Sequence, residues 1–246
     1  MKKLLVISAL VAVAGLAGSS YATPVSWGLG SPSGTCTSGV GNECTFTSAG
    51  KTLKARAYAT NDNPGLGLFV KAAINQYSGG LGVKSPSESS GSPQHAVDNS
   101  GKDELIVFEF SNTDYLFTGF QIGWRQNDAD IRAWIGGDAL GAGYNFFGTK
   151  FSDLGSLGFT AFDFLNVPVN TTQNFGANGM AGRYLILAAA PVNLGYDNKN
   201  DYFKISQISG DDRPKPPVEV PEPGTLALLG IALAGLGIGR ARPFRL

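Results

Sequence analysis

Between residues 23 and 208 the chain runs through one short stretch after another in which apolar and polar positions alternate with a period of two. Residues 52–59 are the clearest case. Leu53, Ala55, Ala57 and Ala59 fall on one face, and Thr52, Lys54, Arg56 and Tyr58 on the other, which predicts a half-buried strand. Residues 104–110 set Ile106, Phe108 and Phe110 against Leu105, Val107 and Glu109. Residues 115–124 carry Phe120, Ile122 and Trp124 in register, and residues 131–135 set Ile131, Ala133 and Ile135 against Arg132 and Trp134. Residues 67–77 place Leu68, Val70, Ala72 and Ile74 on one face and read as a strand, with a short helix as the alternative. Further strands are predicted at 25–29, 157–165, 183–190 and 202–208. Roughly ten short strands separated by turn residues predict an all-β fold, an antiparallel β-sandwich or jelly roll.

The connections are equally legible. Asn61-Asp62-Asn63-Pro64-Gly65 is turn chemistry, and residues 125–130 form a polar turn between two strands. Residues 79–102 have neither period and are dense in Ser, Gly and Pro, which predicts a long surface loop. Residues 209–223 are proline-rich and predict an extended spacer.

Both ends break the β pattern. Lys2 and Lys3 precede an apolar run over 4–17, and the small residues that follow end in Ser20-Tyr21-Ala22. This is the layout of a helical secretory signal peptide, cut by signal peptidase between Ala22 and Thr23. At the other end Pro221-Glu222-Pro223 leads into an uncharged run of 16 residues, 224–239, followed by Arg240, Arg242 and Arg245. As a transmembrane helix that run is about 24 Å long at about 1.5 Å per residue, against a hydrocarbon core about 30 Å thick. It crosses only with bilayer thinning or snorkelling flanks. Basic residues prefer the cytoplasmic side, so both ends agree that the middle is exported. The organisation read from this is a signal peptide over 1–22, a sandwich domain over 23–208, a spacer over 209–220 and a tail over 221–246.

Without Lys2, Lys3, Arg240, Arg242 and Arg245 the 19 basic residues become 14, and without Glu222 the 19 acidic ones become 18. The exported body is therefore mildly acidic, and it lacks the basic face that nucleic-acid binding requires. Charged residues are 15% of the chain, below the usual quarter or so, while 34 glycines are about twice the usual share. Both suit a secreted protein rich in strands and turns.

Cys36 and Cys44 are the only cysteines, and the compartment is oxidising, so they are read as a disulfide closing a tight loop. The chain-entropy model gives such a loop about 2.5 kcal/mol. Glu88, Asp98, Asn99, Asp128 and Asp130 are oxygen donors in loop-like contexts and form a candidate calcium set, with Asp98 joined to Asp128 or Asp130. The competing reading is that Asp98, Asn99 and Asp128 cap their own turns. His95 is the only histidine, and no nucleophile elbow or paired-histidine motif accompanies it, so it is read as a structural residue. Glu88, Glu104 and Glu109 could supply a carboxylate pair for glycoside hydrolysis if a fold brought two together. Trp27, Trp124 and Trp134 either stack on sugars or fill the core.

The tail, from Val220-Pro221-Glu222-Pro223-Gly224-Thr225 through the glycine-leucine span to the terminal arginines, resembles the PEP-CTERM sorting signal of Gram-negative bacteria. Here Ala241, Pro243 and Phe244 interrupt the arginines that many such tails run together. The resemblance implies transient anchoring in the inner membrane, cleavage near Pro-Glu-Pro by an exosortase-type membrane protease, and release to the cell surface or an exopolysaccharide (biofilm) matrix. In the body, Gly82-Val83, Ser92 to Asn99, Ile122-Gly123-Trp124 and Asp128-Ala129-Asp130-Ile131 resemble segments of a group of exosortase-dependent surface proteins. That likeness implies a β-sandwich without a known catalytic residue. The function read from all this is a non-enzymatic surface or matrix protein, structural, adhesive or polysaccharide-binding, with no cofactor beyond the candidate calcium. A secreted glycan-active hydrolase is the alternative. An ice-binding protein is a further one, although the body lacks regular Thr-x-Thr ranks.

Mass spectrometry of the secreted form is expected to show Thr23 at the N-terminus, the tail missing, and Cys36 joined to Cys44. A cytosolic polypeptide with both termini intact and free thiols would refute this organisation.

Overall fold

A computed structural model describes residues 24–62, 67–86, 88, 95–111, 115–190 and 199–212. The signal helix and the membrane segment expected from the sequence lie outside the described residues. Among the described ones, no helix is long and apolar enough to cross a membrane.

The first eight strands are β1 (Val25–Gly28), β2 (Thr35–Cys36), β3 (Glu43–Ser48), β4 (Lys51–Thr60), β5 (Phe69–Lys71), β6 (Ala73–Tyr77), β7 (Gly80–Lys84) and β8 (Val97–Asp98). The remaining eight are β9 (Glu104–Phe110), β10 (Tyr115–Asn127), β11 (Ile131–Gly136), β12 (Phe159–Phe164), β13 (Gln173–Asn174), β14 (Met180–Ala181), β15 (Tyr184–Ala189) and β16 (Asp201–Asp212). They form two antiparallel sheets. In the first, β10 lies between β16 and the short β13 and β14, while β16 also pairs with β1, β7 and β8, and β7 with β6. The second runs β12-β11-β15-β9-β4-β3-β2, with β5 added to β4. The all-β antiparallel sandwich expected from the alternation is the observed fold.

The core lies between the sheets. The alternating inward residues of β4 (Leu53, Ala55, Ala57, Ala59) meet Ile106, Phe108 and Phe110 of β9 and Phe117, Phe120 and Ile122 of β10, all at most 2% exposed. Phe110 is its centre. Its ring stacks on Phe117 at 4.0 Å between centroids and touches Trp27 at 5.2 Å and Tyr115 at 5.3 Å. The Cys36–Cys44 disulfide joins directly opposed residues of β2 and β3, so it staples the edge of the second sheet.

The second sheet is covered on its other face as well. Tyr58, Leu105, Val107, Tyr184, Ile186 and Ala188 point outward yet are buried, under Phe146 and Leu154 of the β11–β12 connection, its one-turn 3-10 helix, Phe151–Asp153, and Phe159 at the start of β12. Phe151 packs edge-on to Phe69 at 4.7 Å and stacks on Trp134 at 5.0 Å. Tyr184 pins the cover: its hydroxyl donates to the Gly141 carbonyl at 2.6 Å and accepts from the Tyr144 N–H at 3.0 Å.

Three expectations change. Residues 67–77 are two strands rather than one, because the chain switches sheets at Ala72. Its N–H donates to the Ala57 carbonyl and its carbonyl accepts from Gly41, so β5 stays on β4 while β6 joins β7. Phe69 is buried under the outer cover and Leu68 is 40% exposed, while Ala72 and Ile74 of the expected face lie in the inner core. Residues 79–102 are not one surface loop. Gly80–Lys84 is a strand with Gly80, Leu81, Gly82 and Val83 buried, and Val97–Asp98 pairs with β16. Its glycines are there for close approach: a Cβ on Gly80 would sit 2.2 Å from the Ile205 carbonyl, and one on Gly82 1.8 Å from that of His95. Lastly, β16 continues through Asp212, four residues into the stretch read as spacer.

Phe110→Ala is expected to remove about 3–5 kcal/mol of stability, read as a lower urea midpoint at unchanged slope.

Candidate functional site

Three aspartates meet at one end of the sandwich. Asp128 and Asp130 flank the buried Ala129 in the β10–β11 connection, and Asp201 opens β16 beside them, paired with Asn127 and bridged to Asp128. All three are buried, and each offers a carboxylate oxygen within 4.8 Å of the other two. The local fold holds each one in place. Asp128 accepts from the Ala129 N–H at 2.8 Å, Asp130 from the Asn166 N–H at 2.7 Å, and Asp201 from the Asp130 N–H at 2.7 Å. Asn99 buckles the group from β8. Its amide donates to Asp201 at 3.0 Å and to the Ala190 carbonyl at 2.8 Å, and its oxygen accepts from the Asp201 N–H at 2.8 Å.

The ammonium of Lys199 approaches Asp128 at 3.8 Å on a side chain that is 64% exposed. Burial, with the Asp130 and Asp128 charges behind it, pushes the Asp201 carboxyl up to about 7. Oxygens around one calcium lie about 2.3–2.6 Å from it, so ligands on opposite sides are about 5 Å apart. The spacing of the three carboxylates matches that span.

Of the sequence-predicted donors, Asp128 and Asp130 come together and Asn99 joins them as a positioning residue. Asp98 does not. Its neighbours on β8 alternate across the strand, and its carboxylate lies among Glu88, Asp103 and Glu104. One of its oxygens accepts from Ser100 N–H at 2.9 Å, as the turn-capping reading had it. Asp201 is the residue missed. It is a lone acid before an apolar strand, and only the pairing of β16 with β10 brings it to the other two.

The Asp98 group forms a second buried acidic cluster. Burial pushes Asp98 up to about 7 and Asp103 up to about 6, and holds Glu104 well above the ordinary carboxylate range. Glu104 accepts from the Ser85 N–H at 3.0 Å through one oxygen, while its other has no partner. His95 sits at the rim with Nδ1 3.3 Å from Glu88, and among the described residues no serine hydroxyl bonds to it. Glu104 and Glu109 leave β9 on opposite faces, and Glu109 is held by Arg56 and the Gly143 N–H, so these two do not share a cleft. Trp27 and Trp134 are buried in the two cores. Trp124 is half-buried beside the Lys204 ammonium, 4.9 Å from its ring, with Tyr77 4.0 Å away on the same ammonium.

Residues 219–242 match the model of the PEP-CTERM protein-sorting motif, which spans Pro221-Glu222-Pro223 and the arginines 240 and 242. The match supports an exosortase-sorted exported protein, processed at the membrane and bound for the cell surface. No curated protein and no solved structure matches it.

The buried acids set the pH response of the metal-free body. Their folded-state affinity for protons exceeds that of the unfolded chain, so the folded state takes up protons where the unfolded one does not. Stability is fully present below the ordinary carboxylate range and is lost as pH rises through about 6 for Asp103 and about 7 for Asp98 and Asp201. In chelator the melting temperature is expected to be higher at pH 5 than at pH 8. The reverse order would contradict the assignment of these groups as buried and protonated.

Proposed function

We propose that the body is a non-enzymatic surface or matrix module, structural or adhesive, that binds polysaccharide after its tail has been removed. The observation that carries this reading is the sorting motif at 219–242 behind a disulfide-stapled antiparallel sandwich. A protein delivered to the outside of a cell and freed from its anchor meets matrix polymers first, and a rigid sandwich holds surface residues at fixed spacing for them. In a host lacking the exosortase the full tail is retained and the protein stays with the membrane. In the complete host the secreted form is shorter and is retained on exopolysaccharide. Release of shorter glycans from that polymer would instead assign a hydrolase, and thermal hysteresis an ice-binding protein.

Calcium at Asp128, Asp130 and Asp201 acts in this reading as a staple. It ties the β10–β11 connection to the start of β16. Supporting it is the convergence of three buried carboxylate oxygens within reach of one ion. Calcium at about 100 times its dissociation constant is expected to add about 2.7 kcal/mol of stability. Asp130→Asn keeps an oxygen for Asn166 but removes the charge, and is expected to lose most of that gain. A melting temperature at pH 8 that is the same in calcium and in chelator ends the calcium reading and leaves the sorting reading intact.

A further inference from the structure

A cavity of about 270 Å³ opens where the cover over the second sheet ends, lined by Gly41, Arg56, Ala57, Tyr58, Lys71, Gly143 and Asn145. Its polar lining is one-sided. Asn145 spends its oxygen on the Tyr58 hydroxyl at 3.4 Å and the Phe147 N–H at 3.1 Å, which leaves its amide hydrogens facing outward. The Gly143 carbonyl already accepts from Arg56, and the Gly143 N–H donates to Glu109. Arg56 is locked by the buried carboxylate of Glu109 and by Glu43 at 3.6 Å, and Glu43 is shared with Lys54 at 2.9 Å. Lys71 has no carboxylate partner among the described residues. Counting Arg56, Lys54 and Lys71 against Glu43 and Glu109, the wall carries one positive charge in excess. The cavity thus offers donors and a cation, while the Asn145 side-chain oxygen and the Gly143 carbonyl are already engaged. Its volume lies just below the usual range of ligand pockets, about 300–1,000 Å³, which is room for a single ring rather than a bulky cofactor.

We propose that this cavity binds one carboxylate-bearing sugar, a uronate residue within an acidic polysaccharide, with Lys71 pairing the carboxylate and Asn145 donating to a ring or hydroxyl oxygen. The inference rests on the polysaccharide-binding reading above and names its ligand class. Arg56 is a positioning residue. Its charge is matched by Glu109 and Glu43, so it holds the Gly143 end of the wall without having to reorganise when the ligand arrives, the arrangement that costs least on binding, while Lys71 carries the excess positive charge. Tyr58 stays a neutral phenol, since burial raises its pKa, and it fixes the orientation of the Asn145 amide.

The test is titration calorimetry of the secreted, disulfide-intact protein in chelator, so that calcium at the aspartates plays no part. The probes are a tri-galacturonate, free galacturonate, acetate and a neutral glucose trisaccharide. Acetate and the neutral trisaccharide are expected to bind far more weakly than free galacturonate, which fills the one-ring site, and than the tri-galacturonate. Lys71→Met is expected to weaken it about tenfold or more, the scale of one charge-assisted hydrogen bond; Lys71→Arg retains it, and Asn145→Ala weakens it less. Lys71 is exposed, so its variants should keep the wild-type melting temperature; Asn145→Ala also loses the bonds from Tyr58 and Phe147, so its affinity is read at a temperature where its melting curve shows it folded. Wild-type affinity in both Lys71→Met and Asn145→Ala overturns the site. Neutral trisaccharide binding as tight as tri-galacturonate overturns the uronate while the polysaccharide reading survives. Acetate binding as tightly as the tri-galacturonate overturns the sugar as ligand, free galacturonate binding without tri-galacturonate binding overturns the polymeric ligand, and no binding of any probe overturns the inference as a whole.

Discussion

Strands β9 and β15 are buried on both faces, and the rest of the body follows from hiding them. Their inward residues form the core against the first sheet, and their outward ones need a second cover. The β11–β12 connection supplies it with Phe146, Phe151 and Leu154, joined by Phe159 at the start of β12 and anchored by the Tyr184 hydroxyl. Burying an aliphatic or aromatic side chain is worth about 1.5–3 kcal/mol, so an uncovered face here would be costly and adhesive. The cover also has an edge, at Gly143 and Asn145. The cavity lies there because the outward face of β4 passes from Tyr58, under the cover, to Arg56 just where the covering chain runs out.

The same economy explains the buried acids. A sandwich closes its ends with connections, and those connections must satisfy backbone donors without water. Asp128, Asp130, Asp201, Glu104 and Asp98 all accept from main-chain N–H groups near strand ends. They replace lost water for the backbone, but their own charge is then poorly solvated. Two clusters with raised proton affinity result, about Asp201 and about Glu104. A proton or a divalent cation relieves either one. Three oxygens within reach of one ion distinguish the Asp201 cluster among the described residues.

The tail and the body answer different demands. The tail at 219–242 concerns delivery, and its match says nothing of what the sandwich does afterwards. The body shows the marks of life outside the cell: a disulfide on an edge strand and a fold with both of its central sheet faces sealed.

Delivery and class were legible in the residues alone, because both rest on local patterns. A Pro-Glu-Pro before an uncharged run and a period of two are properties of neighbours in the chain. Strands such as 52–59, 104–110 and 131–135 were read nearly to their ends for that reason. The disulfide, eight residues apart, was equally local. What composition misread was the glycine-rich stretch 79–102. Glycine marks a loop when it lends flexibility, but Gly80 and Gly82 are there because carbonyls from Ile205 and His95 leave no room for a Cβ. Only the folded neighbours distinguish the two uses. The aspartate site divides in the same way. Asp128 and Asp130 stood out by their spacing, whereas Asp201 is more than 70 residues away and joins them through the register of β16 on β10. Asp98 and Asn99 are adjacent in the chain, yet a strand sends successive side chains to opposite faces, and this put one in each acidic cluster. Which residues meet across the sandwich depends on strand pairing between distant segments, and that pairing exists only once the two sheets have closed on their common core.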